Sequence, residues 1–176
     1  MVRRPPRSTL FPSTTLFRSK SPVITDGQAT VHESGAIIDY IIRQHGAGKL
    51  QPAVGDPDYE AYLQWLHYAE GSAMLPLMLQ MYVMRLGEAG APLHPRIESE
   101  VDNHLSYLDQ ALAGRDYLMG QALTGADIQM SFVGEVARAF GKLPNYPNAE
   151  AWLNRLHDRP AYKAAIARGG PYALGR

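Results

Sequence analysis

Beyond residue 57 the apolar residues of this chain recur at helical spacing almost without a break, and that pattern restricts the fold more than any other feature. Ile97, Val101, Leu105, Leu108 and Leu112 follow one another at steps of four, four, three and four. Such steps place all five side chains on one stripe of a helix over residues 95–113. A second helix is predicted over residues 58–86, with Pro76 inside it. Proline lacks the amide hydrogen and its ring crowds the preceding turn, so this helix should kink or split. A third is predicted over 125–140, where Ile128, Phe132, Val136 and Phe140 recur every four residues as an apolar edge. Two short helices complete the pattern near 148–158 and 160–168. Residues 58–176 therefore read as an all-α domain.

The preceding segment has a different period. Val23-Ile24-Thr25 is β-branched, Asp26-Gly27 is a strong hairpin signal, and Ala29 to His32 reads as a returning strand. Glu33-Ser34-Gly35 breaks that strand and opens a helix, with Ser34 a favourable N-cap type. The helix carries Ile37, Ile38, Tyr40, Ile41 and Ile42 and should stop at Gly46. Residues 20–46 thus form a strand–turn–strand–helix unit, and residues 47–57, rich in Gly and Pro, form a linker. The expected fold class is α+β, mostly α.

Charge and cysteine usage narrow the function. Seventeen basic residues balance seventeen acidic ones. No bulk field favours nucleic acid or an anionic membrane, and neither is expected as a partner. The absence of cysteine excludes disulfides, thiolate metal ligands and a cysteine nucleophile on this chain, and it fits a reducing cytoplasm. The six histidines show no ligand spacing, so no metal is expected.

Residues 1–19 stand apart. They contain Arg3, Arg4, Arg7 and Arg18, the prolines at 5, 6 and 12, several Ser and Thr, and no acid. Residues 9–19 resemble the conceptual translation of a sequencing-adapter oligonucleotide. The segment is expected to be artefactual or a disordered tail, and it is excluded from fold reasoning.

Four local features together resemble the glutathione transferase family. Ser21-Pro22-Val23-Ile24 is similar to the family's cis-proline ahead of a thioredoxin-like strand. Glu33-Ser34-Gly35-Ala36-Ile37 is similar to its Glu/Gln-Ser-x-Ala-Ile segment. Leu123-Thr124-Gly125-Ala126-Asp127-Ile128 matches the capping box and flanking hydrophobic staple that open its buried central helix. The helix bearing Trp65, His67, Tyr68, Glu70, Met74, Met78 and Tyr82 lies where the first helix of the family's second domain lies.

The resemblance implies part of a thioredoxin-like domain, as a β-hairpin plus helix, followed by a complete helical bundle. It implies glutathione as co-substrate, held by Ser21, Pro22, Val23, Glu33 and Ser34. Glu33 would pair with the γ-glutamyl ammonium. Ser34 and the free amide groups of the helix start would take its carboxylate. Tyr68, Met74, Met78 and Tyr82 would line the site for a hydrophobic electrophile, methionine being adaptable enough for varied ligands. A homodimer is implied too. The family's thiol-activating residue precedes these motifs, so the catalytic residue is left unassigned. On this reading the chain is a fragment that binds glutathione weakly or not at all by itself. Two alternatives stand beside it: a noncatalytic binding or assembly module, and a glutathione-dependent reductase or isomerase.

Overall fold

A computed structural model describes residues 22–170. Residues 1–19 and Ser21 lie outside the described range. Strands β1 (Val23–Asp26) and β2 (Ala29–His32) pair antiparallel, with Val23 opposite His32 and Asp26 opposite Ala29. Gly27 and Gln28 form the two-residue turn, one position later than the Asp-Gly pair suggests. Gly27 sits at φ 56°, a left-handed conformation that glycine adopts without a Cβ penalty.

Helix α1 (Ser34–His45) packs back on β2. Its C-terminal half clasps the hairpin: Asp26 pairs with His45 Nε2 at 2.7 Å and accepts the Tyr40 hydroxyl at 3.2 Å. His45 and then Tyr40 hold the Asp26 carboxyl below its usual pKa. The N-terminal reading needs a correction. Ser34 is the first helical residue, and Glu33 occupies the N-cap position without making a side-chain cap.

The predicted long helix is split in two. Helix α2 (Tyr59–Tyr68) runs into a π segment (Ala69–Ala73), and helix α3 (Met74–Met84) follows. The amide of Met74 bonds back to the carbonyl of Ala69, five residues away. Pro76 accounts for the change. It offers no amide hydrogen to Ser72, four residues back, and its ring crowds that carbonyl. The break therefore falls one turn ahead of the proline rather than at it.

A 3-10 turn (Gly87–Leu93) leads to helix α4 (His94–Ala111), which packs along α3. Its predicted stripe holds: Ile97, Val101, Leu105 and Leu108 are buried, as is Leu112 just beyond the helix. Helix α5 (Gly125–Ala139) then passes through the middle of the bundle, against α1, α2 and α3. Helices α6 (Pro147–Asp158) and α7 (Pro160–Gly169) close the other side.

The buried face of α5 is not the predicted stripe. Ala126, Met130, Val133 and Ala137 form it, whereas Ile128 and Phe132 are 41% and 40% exposed. Small residues decide the matter, because they let neighbouring helices approach closely on that face. A Cβ on Gly134 would lie 3.2 Å from the Trp152 ring.

The start of α5 is fixed by Asp127, which is fully buried. One carboxylate oxygen accepts the Leu118 amide at 2.8 Å and the Trp152 indole N–H at 3.0 Å. The other accepts the Thr124 amide and hydroxyl, each at 2.9 Å. This is the expected capping box, extended to a loop and to α6.

Gly125 adds a second constraint at the same point. A Cβ there would lie 2.6 Å from Ile42 Cδ1, 2.8 Å from the Tyr62 hydroxyl and 2.9 Å from Ile38 Cγ2. Its amide donates to the carbonyl of Leu50 at 2.8 Å, so the 47–57 segment is tied to α5 rather than hanging free.

Asp127→Ala leaves three buried N–H donors without their acceptor and should destabilise the fold by at least ~3 kcal/mol. Gly125→Ala should cost roughly 1–3 kcal/mol by overpacking the α1–α2–α5 contact. Urea unfolding midpoints of both variants check these values.

Candidate functional site

The junction of α1, the π segment and α5 holds a cleft of about 490 Å³. Pro22, Glu33, Ser34 and Ile38 line it from the hairpin–helix unit, and Glu70, Ile128, Gln129 and Phe132 from the helical bundle. Three of the glutathione-site candidates, Pro22, Glu33 and Ser34, are thus gathered in one place. Val23 is exposed at the adjoining strand start.

Local backbone geometry sets the polarity of the cleft. Glu33 sits at φ 71°, ψ 124°, a conformation that costs a non-glycine residue of order 1–3 kcal/mol. The first intrahelical bond runs from the Ile37 amide to the Glu33 carbonyl at 2.9 Å. The amides of Ser34, Gly35 and Ala36 accordingly lack intrahelical acceptors.

Two residues absent from the sequence-derived site complete the cleft. Glu70 lies on the π segment beside Gly71 and Ser72. Gln129 is buried on α5, and its amide nitrogen donates to Ser34 Oγ at 2.8 Å and to Glu70 Oε1 at 3.3 Å. Burial pushes the Glu70 carboxyl up from its ordinary pKa, and the charge of Glu33 raises it further. Two carboxylates therefore face one cleft, and none of its lining residues among those described is a cation. Such a site favours a ligand that brings a positive charge. It also presents amide and hydroxyl donors for an anionic group at the start of α1.

No spacing rule links Gln129 to Ser34 across 95 residues. The polarity of Gln129 is no signal either, since Asp127, Ser131 and Glu135 are polar residues of the same helix.

The electrophile-site candidates lie elsewhere. Tyr68 lines a separate cleft of about 610 Å³ between α2 and α4, with Trp65 and Tyr107, and its hydroxyl meets His104 Nδ1 at 2.5 Å. Met74 is part of the core, while Met78 and Tyr82 stand exposed on α3. The π segment separates Tyr68 from the other three, and its wider turn changes which face each residue presents. None of the four lines the Glu33–Ser34 cleft. Among the described residues no group of three His, Asp or Glu side chains is placed to hold a metal ion.

The sign of the Glu70 shift gives a test. A raised carboxyl favours the folded state below the pKa of the unfolded chain, and that contribution is lost as pH rises through the folded-state value. In a carboxyl-detected NMR titration Glu70 should have a midpoint above that of an ordinary glutamate. Glu33→Gln should lower it only in part, because burial is the larger cause.

The arrangement can be set beside proteins of known family. The sequence model of the glutathione S-transferase C-terminal domain matches residues 70–160. The chain is 30% identical over 165 residues to glutathione S-transferase 3 of Schizosaccharomyces pombe, covering 85% of this chain and 67% of that protein. A glutathione S-transferase structure from Actinobacillus pleuropneumoniae superposes with a TM-score of 0.76 at 26% identity, covering 89% of this chain and 73% of that one. A sphingomonad glutathione S-transferase, solved in complex with glutathione, gives a TM-score of 0.72 at 30% identity, covering 87% and 75%. By matched domain, identity and fold, this chain belongs to the glutathione S-transferase family.

Proposed function

We propose that the chain binds glutathione at the Glu33–Ser34 cleft and serves in conjugating the glutathione thiolate to a hydrophobic electrophile. The observation that carries this reading is the convergence of Glu33, Ser34 and Glu70 on one cleft beside the amides of α1 that lack intrahelical acceptors. The γ-glutamyl end of glutathione carries an ammonium and a carboxylate on the same carbon. Glu33, with Glu70 nearby, suits the ammonium, and the Ser34 hydroxyl with the α1 amides suits the carboxylate. Pro22 and Ser21 would then flank the cysteinyl part, in keeping with their place ahead of β1.

These residues orient the nucleophile and leave its sulfur to be activated elsewhere. In the reaction the thiol proton passes to solvent or a base. The thiolate sulfur forms a bond to carbon, and a leaving group departs or a conjugated double bond is consumed. Residues 20–46 would supply glutathione contacts and residues 58–176 the electrophile side, with 47–57 as connector. A homodimer fits the exposed apolar side chains Leu75, Met78, Leu79 and Tyr82 on α3.

Glutathione in the millimolar range should perturb the resonances of Glu33, Ser34, Gly35 and Gln129 in the full chain in a saturable way. Glu33→Gln and Ser34→Ala should each weaken that binding about tenfold, the loss of one hydrogen bond to a charged group. Glu33→Gly should weaken binding as much while leaving the unfolding midpoint no lower, since glycine relieves the strained backbone. Absence of saturable shifts at these residues would overturn the reading.

A further inference from the structure

Gln129 enters the cleft from the second turn of α5 and is only 4% exposed. Its amide nitrogen donates to Ser34 Oγ and to Glu70 Oε1. An ionised carboxylate can only accept, so Glu70 keeps the amide turned with its nitrogen toward the cleft. Both hydrogens of that nitrogen are then assigned, one to each partner.

The consequence falls on Ser34. A hydroxyl has one hydrogen to donate and two lone pairs to accept with. Gln129 fills an accepting position, and the hydrogen is left to point elsewhere. Glu33 and Glu70 line the same cleft as Ser34. With its oxygen accepting from Gln129, the hydroxyl adds to the amides at the start of α1 as a donor of the same polarity.

We propose that Gln129 is a positioning residue for the substrate: by donating to Ser34 Oγ it fixes the Ser34 hydroxyl as a donor toward the γ-glutamyl carboxylate. The inference rests on the glutathione reading of this cleft. It joins the two parts of the fold in one recognition step, because Ser34 belongs to the hairpin–helix unit and Gln129 to the bundle.

The test measures glutathione binding to the full chain by NMR titration for wild type, Gln129→Met, Gln129→Glu, Ser34→Ala and the double variant Ser34→Ala/Gln129→Met. Methionine keeps the volume and removes the donor. Glutamate keeps the shape and reverses the polarity, drawing the Ser34 hydrogen to itself. Gln129→Met should weaken binding about tenfold, and Gln129→Glu at least as much. Adding Gln129→Met to Ser34→Ala should change affinity by less than about twofold, since the hydroxyl it orients is already gone.

Single Gln129 variants that bind like wild type, a milder loss for Glu than for Met, or fully additive losses would overturn the role of Gln129 alone. A wild-type chain with no saturable binding would instead overturn the glutathione reading of the cleft. Retained unfolding midpoints in Gln129→Met keep the comparison one of recognition rather than folding.

Discussion

One buried carboxylate holds the bundle in register. Asp127 accepts hydrogen bonds from Thr124, from the Leu118 amide and from the Trp152 indole. A carboxylate without partners in such a place would be costly, and with four donors around it the desolvation is offset. Because those donors come from the α5 cap, the preceding loop and α6, the position of α5 is set to within a hydrogen-bond length. Everything near the cleft is measured from that helix: Gly125 admits Ile38, Ile42 and Tyr62 at close range, and Gln129 stands one turn further on.

The cleft is built from local departures from regular structure. Glu33 takes a strained left-handed turn where an ordinary helix cap would sit. The π segment places Glu70 beside a helix that runs on with a changed face. Each costs local stability, and each puts a carboxylate where a regular backbone would not. Strain of this kind persists only when surrounding packing over-determines it. The α1–α2–α5 contact supplies that packing.

Much of the architecture was legible because it follows from neighbouring residues. The stripe from Ile97 to Leu112, the hairpin before Glu33 and the Thr124–Asp127 box are signals contained within one element. The readings that failed needed a partner element. Ile128 and Phe132 share the four-residue spacing of a buried edge, yet Ala126, Gly134 and Ala137 give other helices closer access on another face, and burial follows the small residues. The split at Pro76 was expected, but the π segment ahead of it, and the faces it gives Tyr68 on one side and Met74, Met78 and Tyr82 on the other, depend on how α2 and α3 pack. Ser34 was read as a cap because its hydroxyl suits one, whereas the cap position falls on Glu33.

The sequence by itself determined the order of the main strands and helices and the family, since these rest on local periodicity and contiguous motifs. Only the tertiary structure brought Glu70 and Gln129 to Glu33 and Ser34. Their hydrogen bonds and charges act over a few ångströms across 59 and 95 residues of chain. No periodicity encodes such proximity. It arises from the way α5 is pinned and the π segment is turned.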